Sequence, residues 1–196
     1  MVQNLQIVVL AGGRSSRFGS DKSRARVGGE RSIDRVVSAA QGVAPVTVVG
    51  GERGLVKAEH FWIPDIYPGQ GPVQGILSAF RALPASPLLV LACDLPLITQ
   101  AHLAFMAEDL PSGVHARIPL LEGKPQPLWA LYDAQCHEFF ERSWSQGIRS
   151  MWEVVETLDI QWVRADQLHG KGLDLEAFAD FDTPEDLVRL KKRKGV

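Results

Sequence analysis

Two runs constrain this chain more than anything else in it: IVVL (7–10) and PLLVLACD (87–94). A strand with one wet face alternates apolar and polar residues. A strand that is apolar at every position, with β-branched members, is buried on both faces. Such strands belong to a mostly parallel sheet with helices on each side, and the segments around them supply the helices. Ile33, Val36, Val37 and Ala40 fall at i, i+3, i+4 and i+7 and mark one helical face ending at Gly42. VTVV (46–49) is a short buried strand closed by Gly50 and Gly51, and FWIPD (61–65) another that stops at Pro64. GPVQGILSAFRAL (71–83) opens a helix at Pro72 with Val73, Ile76, Leu77 and Phe80 on one face, and ITQAHLAFMAEDL (98–110) is a further helix. This alternation predicts an α/β fold: a three-layer α/β/α, Rossmann-like arrangement around a mostly parallel twisted sheet.

The second half is less regular. HARIPLLEGKPQPLWALY (115–132) reads as two strands joined through the turn EGKP. Two helices separated by Gly147 follow, then the strand IQWV (160–163). TPEDLVRLKKRK (183–194) is a last helix with Thr183 as N-cap, Pro184 at its first position, acids in its first turn and cations at its end, where they suit the dipole. We expect one domain over residues 1–196, with 1–110 forming a nucleotide-binding half and 111–196 an acceptor-binding half.

The first strand runs into LAGGRSSRFGSDK (10–22). Gly12 and Gly13 let the backbone turn and approach a ligand, while Arg14, Arg17 and Lys22 add positive charge; amides plus cations suit a polyphosphate. The glycines at 12, 13 and 19 do not match G-x-G-x-x-G, and no G-x-x-x-x-G-K-[ST] window exists, so neither familiar phosphate loop is present. The bland alternative is a strand-to-helix loop with solvated arginines. Ligands of open α/β sheets lie beyond the carboxyl ends of the strands. That rule places the glycine loop, Gly50–Gly51, Asp65 and Asp94 along one rim, which weakens the bland alternative. Asp94 follows a buried strand, and Pro96, Leu97 and Ile98 delay the next helix to about Thr99, so a capping duty is disfavoured. A strand-end carboxylate opposite a polyphosphate loop is suited to holding Mg²⁺. In ADFDTPED, Asp182 and Asp186 can serve the last helix, leaving Asp180 as a candidate second metal or water ligand.

Composition narrows the partners. A net charge of −2 over 196 residues argues against a nucleic-acid binder. Cys93 and Cys136 stand alone, and the five histidines are scattered without metal-ligand spacing, which fits a reducing cytoplasm. The first residues lack a signal-peptide pattern, and no apolar run reaches membrane-span length.

LAGGRSSRFGSDK, YPGQGPVQGI, ACDLPLI, GKPQPLWALY and FDTPEDL occur in the order seen in molybdenum cofactor guanylyltransferases. The chain resembles that family from about Leu5 to Leu190. The resemblance implies a Mg²⁺-dependent cytoplasmic enzyme that joins GMP from GTP to molybdopterin and releases pyrophosphate. It also implies transient contact with other proteins of molybdenum cofactor synthesis. By resemblance, Leu10, Ala11, Gly12 and Gly13 contact the nucleotide, Lys22 its phosphates, Asp65 the guanosine end, and Asp94 the metal. Arg17 joins Lys22 and Asp94 as a catalytic candidate, holding the departing phosphates. One departure stands out. The family's second strand often ends in Asn, where a guanine contact is expected, and here Gly50–Gly51 leaves base selection to backbone groups. An acceptor phosphate is already ionised at pH 7, so no general base is required, only alignment and charge neutralisation. Lys124, Gln126 and Arg149 are acceptor-side candidates; the alternatives are a hairpin tip and a surface arginine. No role is assigned to Trp129, Trp144, Trp152 or Trp162. The competing functions are cytidylyl transfer to molybdopterin, GTP-dependent transfer to another phosphorylated acceptor, and a nucleotide-binding regulatory module without catalysis. Gly12 argues against the cytidylyl branch, and Lys22 together with Asp94 against a mere binder.

Overall fold

The computed structural model describes residues 1–11, 22–57, 60–67, 69–181 and 183–194. Gly12, Gly13, Arg14, Arg17 and Asp182 therefore lie outside the described residues. The strands are β1 (Gln6–Leu10), β2 (Arg26–Val27), β3 (Glu30–Arg31), β4 (Val46–Val49), β5 (Phe61–Ile63), β6 (Leu88–Ala92), β7 (Ala116–Leu121), β8 (Lys124–Pro125), β9 (Trp129–Tyr132) and β10 (Ile160–Arg164). The helices are α1 (Ser32–Gln41), α2 (Pro72–Ala82), α3 (Gln100–Met106), α4 (Cys136–Ser145), α5 (Met151–Val155), α6 (Ala165–Gly170) and α7 (Pro184–Lys194).

One sheet runs through both halves of the chain in the order β10-β7-β9-β6-β1-β4-β5, with β8 added to β7 and β2–β3 forming a separate small ribbon. β1 pairs in parallel with both β4 and β6. Its residues alternate between two cores. Ile7 and Val9 pack with Ile33, Val36 and Leu103 of α1 and α3 on one face. Val8 and Leu10 pack with Ile76, Leu77, Phe140 and Val154 of α2, α4 and α5 on the other. β6 divides in the same way, Leu89 and Leu91 against Leu88 and Val90. Complete burial of such residues is worth about 1.5–3 kcal/mol each and requires cover on both faces, so the apolar runs do dictate the three layers.

The differences from expectation are local. The 115–132 segment holds three strands, because Glu122 and Gly123, both at positive φ, turn β7 back into β8 before β9 begins. β9 runs antiparallel to both β6 and β7. The helix expected over 98–110 ends at Met106. Arg117 reaches in from β7 and donates to the carbonyls of Met106, Glu108 and Asp109 at 3.0, 2.7 and 2.9 Å, taking up orphan acceptors beyond its last turn. α6 and the β2–β3 ribbon carry too short a pattern to be read from periodicity. Thr183 does cap α7: its Oγ1 accepts from the Asp186 amide, and Asp186 Oδ2 accepts from the Thr183 amide.

Candidate active site

The chain lays β4 and β5 on one side of β1 and then crosses back to place β6 on the other. The switch point is thus between β1 and β6, where the crevice of an open α/β sheet forms. Ala11 and Cys93–Asp94 follow directly on those two strand ends. The Cys93 amide donates to the Leu10 carbonyl at 3.2 Å, and the Ala11 amide to the Val49 carbonyl at 2.9 Å, so the three strand ends are tied together.

Asp94 is held from two directions. Ser32 Oγ, in the first turn of α1, donates to the Cys93 carbonyl at 2.6 Å, and Arg35 Nε donates to the Pro96 carbonyl at 2.9 Å. Lys22 opens a 3₁₀ turn (Lys22–Arg24) and its Nζ donates to Asp94 Oδ2 at 2.9 Å. The two side chains are only 15% and 17% exposed, so this ion pair lies well inside the rim. Thr99, not Asp94, occupies the N-cap position of α3, and a capping role for Asp94 is removed. The Lys22 ammonium also lies 5.9 Å from the centre of the buried Phe181 ring. Asp180, immediately before it, is exposed.

The donor set suits a hard cation. Asp94 Oδ1 accepts no hydrogen bond from the described residues, so the carboxylate has one oxygen unspent. No group of three or more metal-ligating side chains exists among the described residues. A Mg²⁺ here would rest on one or two carboxylates, with phosphate and water oxygens completing its shell.

The remaining candidates fall on the same rim. Asp65 follows β5, half-buried, with Oδ1 accepting from the Tyr67 amide at 3.4 Å. Gly50 and Gly51 sit at φ 78° and 64°, and a Cβ on Gly51 would lie 3.3 Å from the Ala11 carbonyl, so the close approach of β4 to Ala11 needs glycine. Gly50 has both backbone groups engaged, its amide by the Ile63 carbonyl and its carbonyl by Trp62 Nε1. Gly51 makes no backbone hydrogen bond with the described residues. Lys124 and Gln126 flank the turn into β9; Leu128, two residues on, accepts from the Ala92 amide at 2.8 Å, which puts this turn on the Asp94 side. Arg149 stands on another part of the rim, against the start of α2, where its carbonyl lies 3.8 Å from a Cβ built on Gly71. The three acceptor candidates thus form two groups rather than one cluster.

Sequence reasoning passed over two side chains that the fold brings to this rim. Gln74, in the first turn of α2, is fully buried; its Nε2 donates to Ser78 Oγ at 2.9 Å while Oε1 has no partner among the described residues. Trp144 stacks on Tyr67 with ring centres 5.6 Å apart. No local signal marks Trp144, whose ring partner Tyr67 lies far along the chain, and Gln74 bonds Ser78 one turn on but owes its complete burial to the fold.

Residues 7–162 match the family described as MobA-like NTP transferase domain. A probable molybdenum cofactor guanylyltransferase of Pelotomaculum thermopropionicum is 33% identical over 188 residues, covering 94% of this chain and 90% of its own. Another, from Methanothermobacter thermautotrophicus, is 30% identical over 192 residues, covering 92% of this chain and 96% of its own. Among solved structures, the molybdopterin-guanine dinucleotide biosynthesis protein A from Archaeoglobus fulgidus aligns with a TM-score of 0.84 at 26% identity, over 97% of this chain and 98% of that one.

Proposed function

The chain belongs to the MobA-like NTP transferases, as a nucleotidyltransferase of molybdenum cofactor synthesis, and from that premise we propose that it transfers GMP from GTP to the phosphate of molybdopterin. Pyrophosphate leaves and the guanine dinucleotide cofactor forms. The observation that carries this reading is the inset Lys22–Asp94 pair at the β1/β6 switch point, directly beyond the strand that feeds the glycine loop.

The reaction asks two anions to meet, so the protein's work is alignment and neutralisation. The nucleotide lies across Leu10, Ala11, Gly12 and Gly13. Lys22 turns from Asp94 to the α-phosphate, and Arg17 holds the β- and γ-phosphates as they depart. Asp94, assisted by Asp180, would hold Mg²⁺, which would supply charge neutralisation for the reacting phosphates. Asp65 and the Gly51 backbone face the guanosine end. Lys124, Gln126 and Arg149 receive the acceptor. Its phosphate is ionised at neutral pH, so the mechanism needs no base.

Two measurements test this. GTP with Mg²⁺ at about 100 times its dissociation constant should stabilise the fold by roughly 2.7 kcal/mol, with CTP and ATP giving much smaller melting shifts. Turnover against all four nucleoside triphosphates, with and without molybdopterin, then separates transfer from mere binding. The glycine pair in place of the expected Asn leaves base selection to backbone groups, so cytidylyl transfer is the alternative these measurements separate. Equal shifts and rates with CTP would support that alternative and remove the guanine assignment.

A further inference from the structure

Arg149 is attached to the fold in an unusual way for an exposed arginine. α4 ends in a Schellman turn: the Ile148 amide donates to the Ser143 carbonyl at 2.9 Å and the Gly147 amide to the Trp144 carbonyl at 3.1 Å, with Gly147 at φ 80°. The turn folds the chain back so that the Arg149 guanidinium lies over Trp144, its Cζ 3.4 Å from the ring centre. Nη1 donates to the carbonyls of Trp144 and Ile148 at 3.1 and 2.9 Å. Nε and Nη2 donate to none of the described residues. The Trp144 ring is itself fixed by the near-parallel Tyr67 ring, 16° from coplanar, from the loop that leads into α2.

A guanidinium is a planar fork, and the Nε–Nη2 edge matches two oxygens of a phosphate. A free arginine loses its rotamer freedom on gripping an anion. One already stacked and tethered along its Nη1 side has lost most of it beforehand. Building on the acceptor role proposed for Arg149, we infer that Trp144 is the positioning residue for that arginine. Trp144 and Tyr67 hold the guanidinium flat, its Nη1 spent on backbone carbonyls and its Nε–Nη2 edge open to the acceptor's phosphate.

The test is steady-state transfer from GTP to molybdopterin by wild type, Trp144→Leu, Trp144→Phe, Arg149→Lys, Arg149→Ala and the Trp144→Leu/Arg149→Ala double variant, each checked for folding by its melting temperature. Trp144→Leu should raise the KM for molybdopterin about three- to tenfold, the scale of ordering one long side chain, while the KM for GTP is unchanged. Trp144→Phe should restore most of the loss. Arg149→Lys, a surface change that keeps the charge but not the planar face, should resemble Trp144→Leu. In the Arg149→Ala background, Trp144→Leu should add nothing. The inference is overturned if the two losses multiply, if the GTP KM rises in step, if Phe is no better than Leu, or if Arg149→Lys behaves as wild type. An Arg149→Ala variant with normal acceptor KM removes the acceptor role of Arg149 and this inference with it, but leaves GMP transfer standing. A wild-type enzyme that does not use molybdopterin overturns the parent reading instead.

Discussion

Asp94→Asn separates structure from chemistry at this site. The substitution keeps size and removes the charge that accepts from Lys22 at 2.9 Å. Exposed ion pairs contribute about 0–1 kcal/mol, and breaking a fully buried one costs about 3–5 kcal/mol. With side chains 15% and 17% exposed, this pair falls between, at roughly 2 kcal/mol. For a chain of this size that corresponds to a melting temperature lower by about 4–8 °C. The kinetic effect is expected to be larger. If Asp94 also fixes Mg²⁺ where charge gathers on the reacting phosphates, turnover should fall about 10²–10³-fold, or roughly 2.7–4 kcal/mol. Transfer of labelled GMP to molybdopterin, run across a Mg²⁺ titration beside thermal melts, reads both quantities. Raised Mg²⁺ should restore part of the turnover and none of the melting temperature without nucleotide. Near-normal turnover at low Mg²⁺ would refute the metal role. A turnover loss explained by the fraction unfolded at the assay temperature would reduce the pair to a structural contact.

Lys22→Met should lower turnover about 10²–10³-fold and shrink the melting shift produced by GTP, because its inset ammonium, paired with Asp94, is the cation proposed to meet the α-phosphate; unchanged turnover refutes this. Arg117→Met should cost about 3 kcal/mol without altering either KM, since it leaves the carbonyls beyond α3 without their donor; a melting curve like that of wild type would show those carbonyls find water instead. His102 donates from Nε2 to the Asp174 carbonyl and shares a 2.7 Å bond between Nδ1 and Thr99 Oγ1. Burial lowers its pKa, against the pull of Asp174, so its contribution to stability is complete above the unfolded value of about 6.5 and is lost as pH falls below it. His102→Asn should therefore flatten the decline of melting temperature between pH 7 and pH 5, and an unchanged slope would assign that decline to other groups.

Much of this molecule is legible from local pattern. The runs at 7–10 and 87–94 determine a covered parallel sheet, because no other arrangement buries both faces of a strand. The order of strands and helices then fixes which ends form the rim, and so brings Ala11, Asp65 and Asp94 to one edge before any coordinate is known. Thr183 as the cap of α7 was equally plain, since a cap is made by residues three apart.

What the tertiary structure alone decided is everything that joins distant segments. The pairing of Lys22 with Asp94 spans 72 residues, and nothing near either one specifies the other. β9 enters antiparallel between β6 and β7, a matter of which neighbour's edge is open rather than of its own apolar residues. Arg117 looks like a surface cation in a strand, yet it is 5% exposed because the carbonyls it serves belong to another element. Trp144 reads as ordinary core until Tyr67 and Arg149 close on it. Periodicity reports how one segment meets solvent; it is blind to which partner removes that solvent, and at this rim the partner sets the chemistry.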